Sequence, residues 1–301
     1  MPAALARDFR STFTSKLPLV HYSRGVTYGW ALLFLGINVA YGKTDKLVEV
    51  IVGNIGVFYL LVGTLGEVYF HRNFIADDMA VKQQRYRQSI EEIFVAVEGL
   101  VGVCGFSCAM YEIFDPLYCP YFGYFDREAY TAGWFAANVA FYLVFCDAWF
   151  YWWHYAFHAI DALWPMHYQH HQLREPTSFG GPTVHVIELI LEYTLAHHLV
   201  QYLMPFHLNV HRALGVFAFV FGAIFNHGGL TLDYNDHYAH HITWKGGRAK
   251  YCNYGMFFPF WDMLNGTRYN ASAPPASAAK PKEKLPEKGL EKLIPNLEKD
   301  N

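Results

Sequence analysis

Of the sixteen histidines in this chain, eight fall in three tight clusters: His154-x-x-x-His158, His167-x-x-His170-His171 and His237-x-x-His240-His241. Residues three or four apart share one face of a helix, so each cluster can aim its rings at a common point. All-imidazole sites suit iron, copper or zinc, whereas thiolate sites select a different set of metals. A structural zinc ion needs only four ligands, so eight converging nitrogens over-supply one ion and make two the natural count. A lone His-x-x-x-His pair would carry little weight, because surface helices acquire histidines by chance. Three such clusters in one apolar protein have no comparable bland explanation. The donor set matches a redox-active metal pair that handles dioxygen. Carboxylate-bridged di-iron bundles use Glu-x-x-His instead, a form absent from all three clusters.

Two acidic residues stand near the clusters. Asp147 precedes His154 by two helical turns on the same face, and Glu188 follows His185 by about one turn. An aspartate in an apolar helix is costly unless paired. Each carboxylate has two readings, a helix–helix hydrogen bond or an acceptor that orients a ligating imidazole. His21 and His71 lie in polar segments and read as solvated. His197, His198, His207 and His211 lie at the wrong end of the chain's later apolar stretch to join the clusters.

The elements that must position these groups are apolar helices. The 301 residues are 53% hydrophobic and 16% charged, against about a quarter charged in a soluble domain. A net charge of −3 gives no reason to expect a nucleic-acid partner. Five cysteines without C-x-x-C spacing read as ordinary buried thiols. Apolar runs cover 26–41, 47–70, 90–114 and 132–160, each close to the ~20 residues that cross a bilayer. The third is interrupted by Glu91, Glu92 and Glu98, which makes it the least secure span. A further stretch, 186–225, reads as a hairpin broken at Pro205. Residues 271–301, rich in Ala, Pro, Lys and Glu, read as a disordered tail.

The expected fold is therefore an all-α integral membrane bundle of about four transmembrane helices plus the Pro-broken hairpin, capped by the histidines. Its parts are a cytosolic N-terminal segment (1–25), membrane helices and a connector (26–131), a catalytic region (132–270) and the tail. Basic residues in the N-terminal segment and the 71–89 loop place both in the cytosol. Four crossings then return His154 and His158 to that side, and His185 and His227, at the two ends of the hairpin, join them.

The chain resembles the sterol desaturase and fatty-acid hydroxylase superfamily. The matching residues are Asp147-Ala-Trp-Phe-Tyr-Trp-Trp-His154 with His158, the second and third clusters, Pro176-Thr-Ser-Phe, His185-x-x-Glu188, Asn226-His-Gly, Asn253-Tyr-Gly, Phe260-Trp-Asp262 and Gly266-Thr267. The resemblance implies two iron ions that use O2 and two external electrons to oxidise an unactivated C–H bond of a lipid. It implies the ligand set His154, His158, His167, His170, His171, His185, His227, His237, His240 and His241. It also implies an endoplasmic-reticulum membrane enzyme with its site facing the cytosol, fed from NAD(P)H through a reductase and a cytochrome-type carrier. Tyr155 stands where an arginine commonly follows the first histidine, Val186 replaces a frequent proline, and the segment 243–250 is longer than in many members. The 4-methylsterol oxidases are nearest, through His185-x-x-Glu188 and the glycine-containing insert. Sterol desaturation and fatty-acid or sphingolipid hydroxylation are the other activities the resemblance admits. Lys245, Arg248 and Lys250 read as a solvated basic loop or a surface for an acidic electron donor. A membrane metal transporter would instead line a path at the bilayer midplane, and a non-catalytic lipid-binding relative would have lost ligands.

Overall fold

The computed structural model describes residues 24–74, 79–172, 176–228, 237–242 and 253–268. The N-terminal segment with His21, the basic loop of Lys245, Arg248 and Lys250, and the C-terminal tail lie outside the described residues. Helices make up the regular structure, and no strand occurs among the described residues.

Helix α1 (Arg24–Ala40) turns at Gly42 into α2 (Thr44–His71), which is followed by α3 (Lys82–Tyr118) and α4 (Ala132–Ala159). Gly42 sits at φ 68°, a left-handed conformation that glycine adopts without steric cost. Short α5 (Trp164–His171) precedes the hairpin of α6 (186–203) and α7 (Leu208–Gly228), and α8 (His237–Ile242) and α9 (Phe260–Asn265) complete the order. Pro205 lies at the hairpin tip, where Asn138 Nδ2 donates to its carbonyl at 2.8 Å.

Four helices, α2, α3, α4 and α7, are long and apolar enough to cross a membrane. They differ in part from the runs read in the sequence. Helix α1 has 17 residues, short of the usual requirement. The third run extends to Lys82–Tyr118 because its acidic residues do not interrupt it. Glu92 is wholly buried and accepts hydrogen bonds from Gln88 and Thr177. Within the hairpin only α7 qualifies, since α6 carries Glu188, Glu192, His197, His198 and Gln201.

Polar contacts sort the helix ends into two groups. At one end, the carboxylate of Glu67 on α2 receives Nε and Nη2 of Arg85 on α3 at 2.7 and 2.9 Å. Glu67 also accepts the backbone N–H of Ser178 at 2.6 Å, and Glu92 accepts that of Thr177 at 3.2 Å. Two buried carboxylates thus hold the Pro176-Thr-Ser-Phe segment, which links α5 to α6. Gly181 in this segment lies so close to α7 that a Cβ would stand 2.1 Å from the Ala223 carbonyl oxygen. At the opposite end, Lys43 meets Glu112 and Tyr111 reaches His211.

Candidate metal centre

The C-terminal turns of α4 and α7 meet α5, α8 and the start of α6 at the first of these ends, and nine histidines converge there in two groups. His154, His158, His167, His171 and His240 form one, and His170, His227, His237 and His241 form the other. The helical spacing read in the sequence explains the division. In α5, His167 and His171 are one turn apart and share a face, while His170 turns to the second group. In α8, His240 faces the first group while His237 and His241 face the second. None of the nine is more than 4% exposed. The groups adjoin, with ring centroids 4.9 Å apart between His171 and His241 and 5.0 Å between His237 and His240.

The nitrogen geometry fits a bound cation. In the first group, Nε2 of His167 lies 3.1 Å from that of His154 and 2.9 Å from those of His158 and His171. Nε2 of His240 lies 3.1 Å from those of His158 and His171. In the second, Nε2 of His227 and His170 are 3.1 Å apart. A metal held at ~2.1 Å by each nitrogen would separate neighbouring octahedral ligands by ~3.0 Å. The outer nitrogens settle the tautomers of three rings, because a carbonyl oxygen only accepts. Nδ1–H of His154 donates to Tyr254 O at 3.3 Å, of His227 to Gly222 O at 2.9 Å, and of His237 to Asn253 O at 3.2 Å, while His167 Nδ1 and Glu188 Oε1 share a hydrogen bond of 2.6 Å. The Nε2 atoms of His154, His227 and His237 therefore present lone pairs inward. Lone pairs facing one another at such distances repel unless a cation lies between them.

Burial also keeps the rings neutral and able to ligate. It pushes His167 down to about 3, and it lowers His170, His171, His237 and His241 well below the usual histidine value, with neighbouring imidazoles adding to the effect for those four.

The two carboxylates singled out in the sequence do different jobs. Glu188 hydrogen-bonds His167, the contact that an imidazole-orienting role requires. Asp147, two turns below His154, turns to backbone instead. Its Oδ1 accepts the N–H groups of Met256, Phe257 and Phe258 at 3.0, 2.6 and 3.3 Å. Asp262 accepts those of Tyr254 and Gly255, both at 2.9 Å. Together they fix the 253–258 loop, whose carbonyls receive His154 and His237, so Asp147 acts on the imidazoles through this loop. His185 joins neither group, and its Nδ1 accepts the N–H of Ile187 as the cap of α6. Beyond these, sequence reasoning passed over Glu192, which together with Glu188 and His167 offers ligand atoms within 4.8 Å of one another. Its signal was an acidic residue one turn after Glu188 in an otherwise apolar run.

Of the histidines set aside in the sequence, His71 lies 3.5 Å from Glu67 with its side chain 28% exposed, so it is partly covered rather than solvated, and His197, His198 and His211 form a separate cluster at the opposite end. His197 contacts Tyr111 and Tyr142, His211 contacts Tyr111, and His198 lies 3.4 Å from Asp115. His207 caps α7 through its Nδ1.

Residues 139–267 match the fatty acid hydroxylase family. The lathosterol oxidase of Homo sapiens is 23% identical over 236 residues, which cover 74% of this chain and 75% of that protein. That of Mus musculus is 25% identical over 236 residues, covering 72% and 73%. No solved structure matches.

Proposed function

We propose that the protein is a membrane-bound non-haem di-iron oxidoreductase that hydroxylates or desaturates a C–H bond of a lipid, foremost a sterol, a reading supported by the match of residues 139–267 to the fatty acid hydroxylase family. The observation that carries this reading is the pair of buried imidazole groups, the first of which brings its Nε2 atoms to about 3 Å from one another. The similarity to two lathosterol oxidases supports a sterol as substrate.

Two iron ions held there would supply the redox chemistry that turns O2 and external electrons on an unactivated C–H bond. His154, His158, His167, His171 and His240 would hold one ion, and His170, His227, His237 and His241 the other. His185 caps α6 beside them. Glu188 and the Asn253 and Tyr254 carbonyls keep His167, His237 and His154 in the ligating tautomer. Burial of all nine rings excludes water from the site. In this reading residues 132–270 form the catalytic part and 26–131 the accompanying membrane helices. The protein lies in the endoplasmic-reticulum membrane with its histidines at the cytosolic face. A cytochrome-type carrier and an NAD(P)H-dependent reductase supply the electrons.

The test is metal analysis of the purified full-length protein, followed by turnover with carrier, reductase and candidate sterols. Two iron ions per chain and an oxidised sterol are expected. Fewer than two metal ions per chain in a fully loaded preparation would overturn the di-metal reading. Zinc acquired on overexpression would not, since imidazole also binds zinc.

A further inference from the structure

A cavity of about 360 Å3 lies between α2, α3, α4, α6 and α7, a size suited to a small-molecule site. Its lining runs from Lys46 to Phe58 on α2 and from Leu100 to Glu112 on α3, ~18 Å of helix in each case. Lys46, Glu49 and Arg212 are the exposed residues of this lining, all at the end remote from the metal centre. At the near end Glu192 and Met256 are each 3% exposed. Met256 belongs to the loop held by Asp147, and Glu192 stands beside Glu188 and His167. The slot therefore leads from a charged rim to a closed end against the metal ligands.

The polar groups toward the remote end of the slot satisfy one another. His211 Nε2–H donates to the His197 carbonyl at 2.6 Å, which leaves His211 Nδ1 to accept from the Tyr111 hydroxyl at 2.9 Å. Tyr111 in turn accepts from His197 Nε2–H, and Tyr142 donates to His197 Nδ1 at 2.9 Å. Every proton in that chain is committed. Glu192 is the exception. Its Oε1 is, among the described residues, the one buried side-chain polar atom of the lining without a hydrogen-bond partner. A buried acceptor left unpaired is costly, and it is met when a ligand brings a donor.

We propose that Glu192 binds the hydroxyl group of the substrate, which makes that substrate a lipid alcohol of sterol type, oxidised close to its hydroxyl. This deepens the reading of the site as a lipid-oxidising metal centre and rests on it. The hydroxyl sits at the closed end beside His167, and the hydrocarbon fills the slot toward Tyr111 and Arg212. An acyl chain attacked in mid-chain would bring no donor to Glu192.

The test uses the full-length protein loaded with redox-inert zinc, so that binding is read without turnover. Affinities for cholestanol, its 3-O-methyl ether and methyl palmitate are measured alongside metal content. The wild type is expected to bind cholestanol about tenfold or more tightly than the ether. Glu192→Gln, which keeps an acceptor oxygen, should retain most of that preference. Glu192→Leu should bind sterol and ether alike while holding the same number of metal ions. Equal wild-type affinities, a preference that survives Glu192→Leu, or tightest binding of methyl palmitate would each overturn the proposal. Fewer than two metal ions per chain with the preference intact would overturn the di-metal reading alone.

Discussion

His167 Nδ1 and Glu188 Oε1 share a hydrogen bond of 2.6 Å, and both side chains are 1% exposed. This contact ties the first turn of α6 to a ring of the first histidine group whose Nε2 lies within 3.1 Å of three others. The partner on the outer nitrogen decides which nitrogen of an imidazole can ligate.

Glu188→Ala should therefore weaken metal binding by about 10- to 100-fold, with the loss concentrated in one of two ions. Glu188→Gln, which keeps a carbonyl acceptor, should lose less. Competition with a chelator of known affinity reads both variants, and an unchanged affinity in Glu188→Ala would show that His167 holds its tautomer without help.

Asp147→Ala removes the acceptor for three backbone N–H groups and should destabilise the protein by about 3 kcal/mol, since hydrogen bonds to a charged group are the stronger class. The 253–258 loop would loosen, and with it the carbonyls that receive His154 and His237. Thermal unfolding in detergent and metal content should fall together. A normal melting temperature with lost activity would point to direct chemistry by Asp147 instead.

Acid should destabilise the metal-free protein. Burial pushes His167 down to about 3 and lowers His170, His171, His237 and His241 below the unfolded value of 6.5. The unfolded chain therefore binds more protons than the folded one below that value, so stability is full above about pH 6.5 and is lost as pH falls beneath it. Unfolding of metal-depleted protein followed from pH 8 to pH 5 tests this, and a flat profile would refute it.

The two histidine clusters should respond separately. His197→Leu leaves the Tyr142 hydroxyl without its acceptor and removes one of the two partners of Tyr111, and should cost about 1–3 kcal/mol of stability, with the metal count unchanged. His170→Ala removes a nitrogen from the second group and should lower metal content and abolish turnover while the helical content stays. Circular dichroism, melting and metal analysis of the pair distinguish the outcomes, and metal loss in His197→Leu would join the clusters into one site.

Much of the fold was legible because the bilayer constrains it. Apolar runs near 20 residues, a hairpin broken at Pro205 and a helical reading throughout all follow from hydropathy and spacing. The errors arose where acidic residues sit in apolar runs. Glu92 was read as interrupting a span, but a buried carboxylate does not end a helix when Thr177 and Gln88 satisfy it. Glu192 was passed over because nothing local distinguishes a carboxylate aimed into a cavity from one paired across helices.

The sequence by itself determined that imidazoles would gather at helix ends, since three- and four-residue spacing places rings on one face whatever the helix packs against. It did not sort them. The division of His167 and His171 from His170, and of His240 from His237 and His241, depends on which neighbour each face of α5 and α8 meets. The same is true of the backbone carbonyls of Asn253 and Tyr254, which carry no side-chain signature and become partners only when Asp147 and Asp262 hold their loop in place. Local periodicity sets the direction of a side chain along its own helix, and only the packing of distant helices decides what stands at the other end of the hydrogen bond.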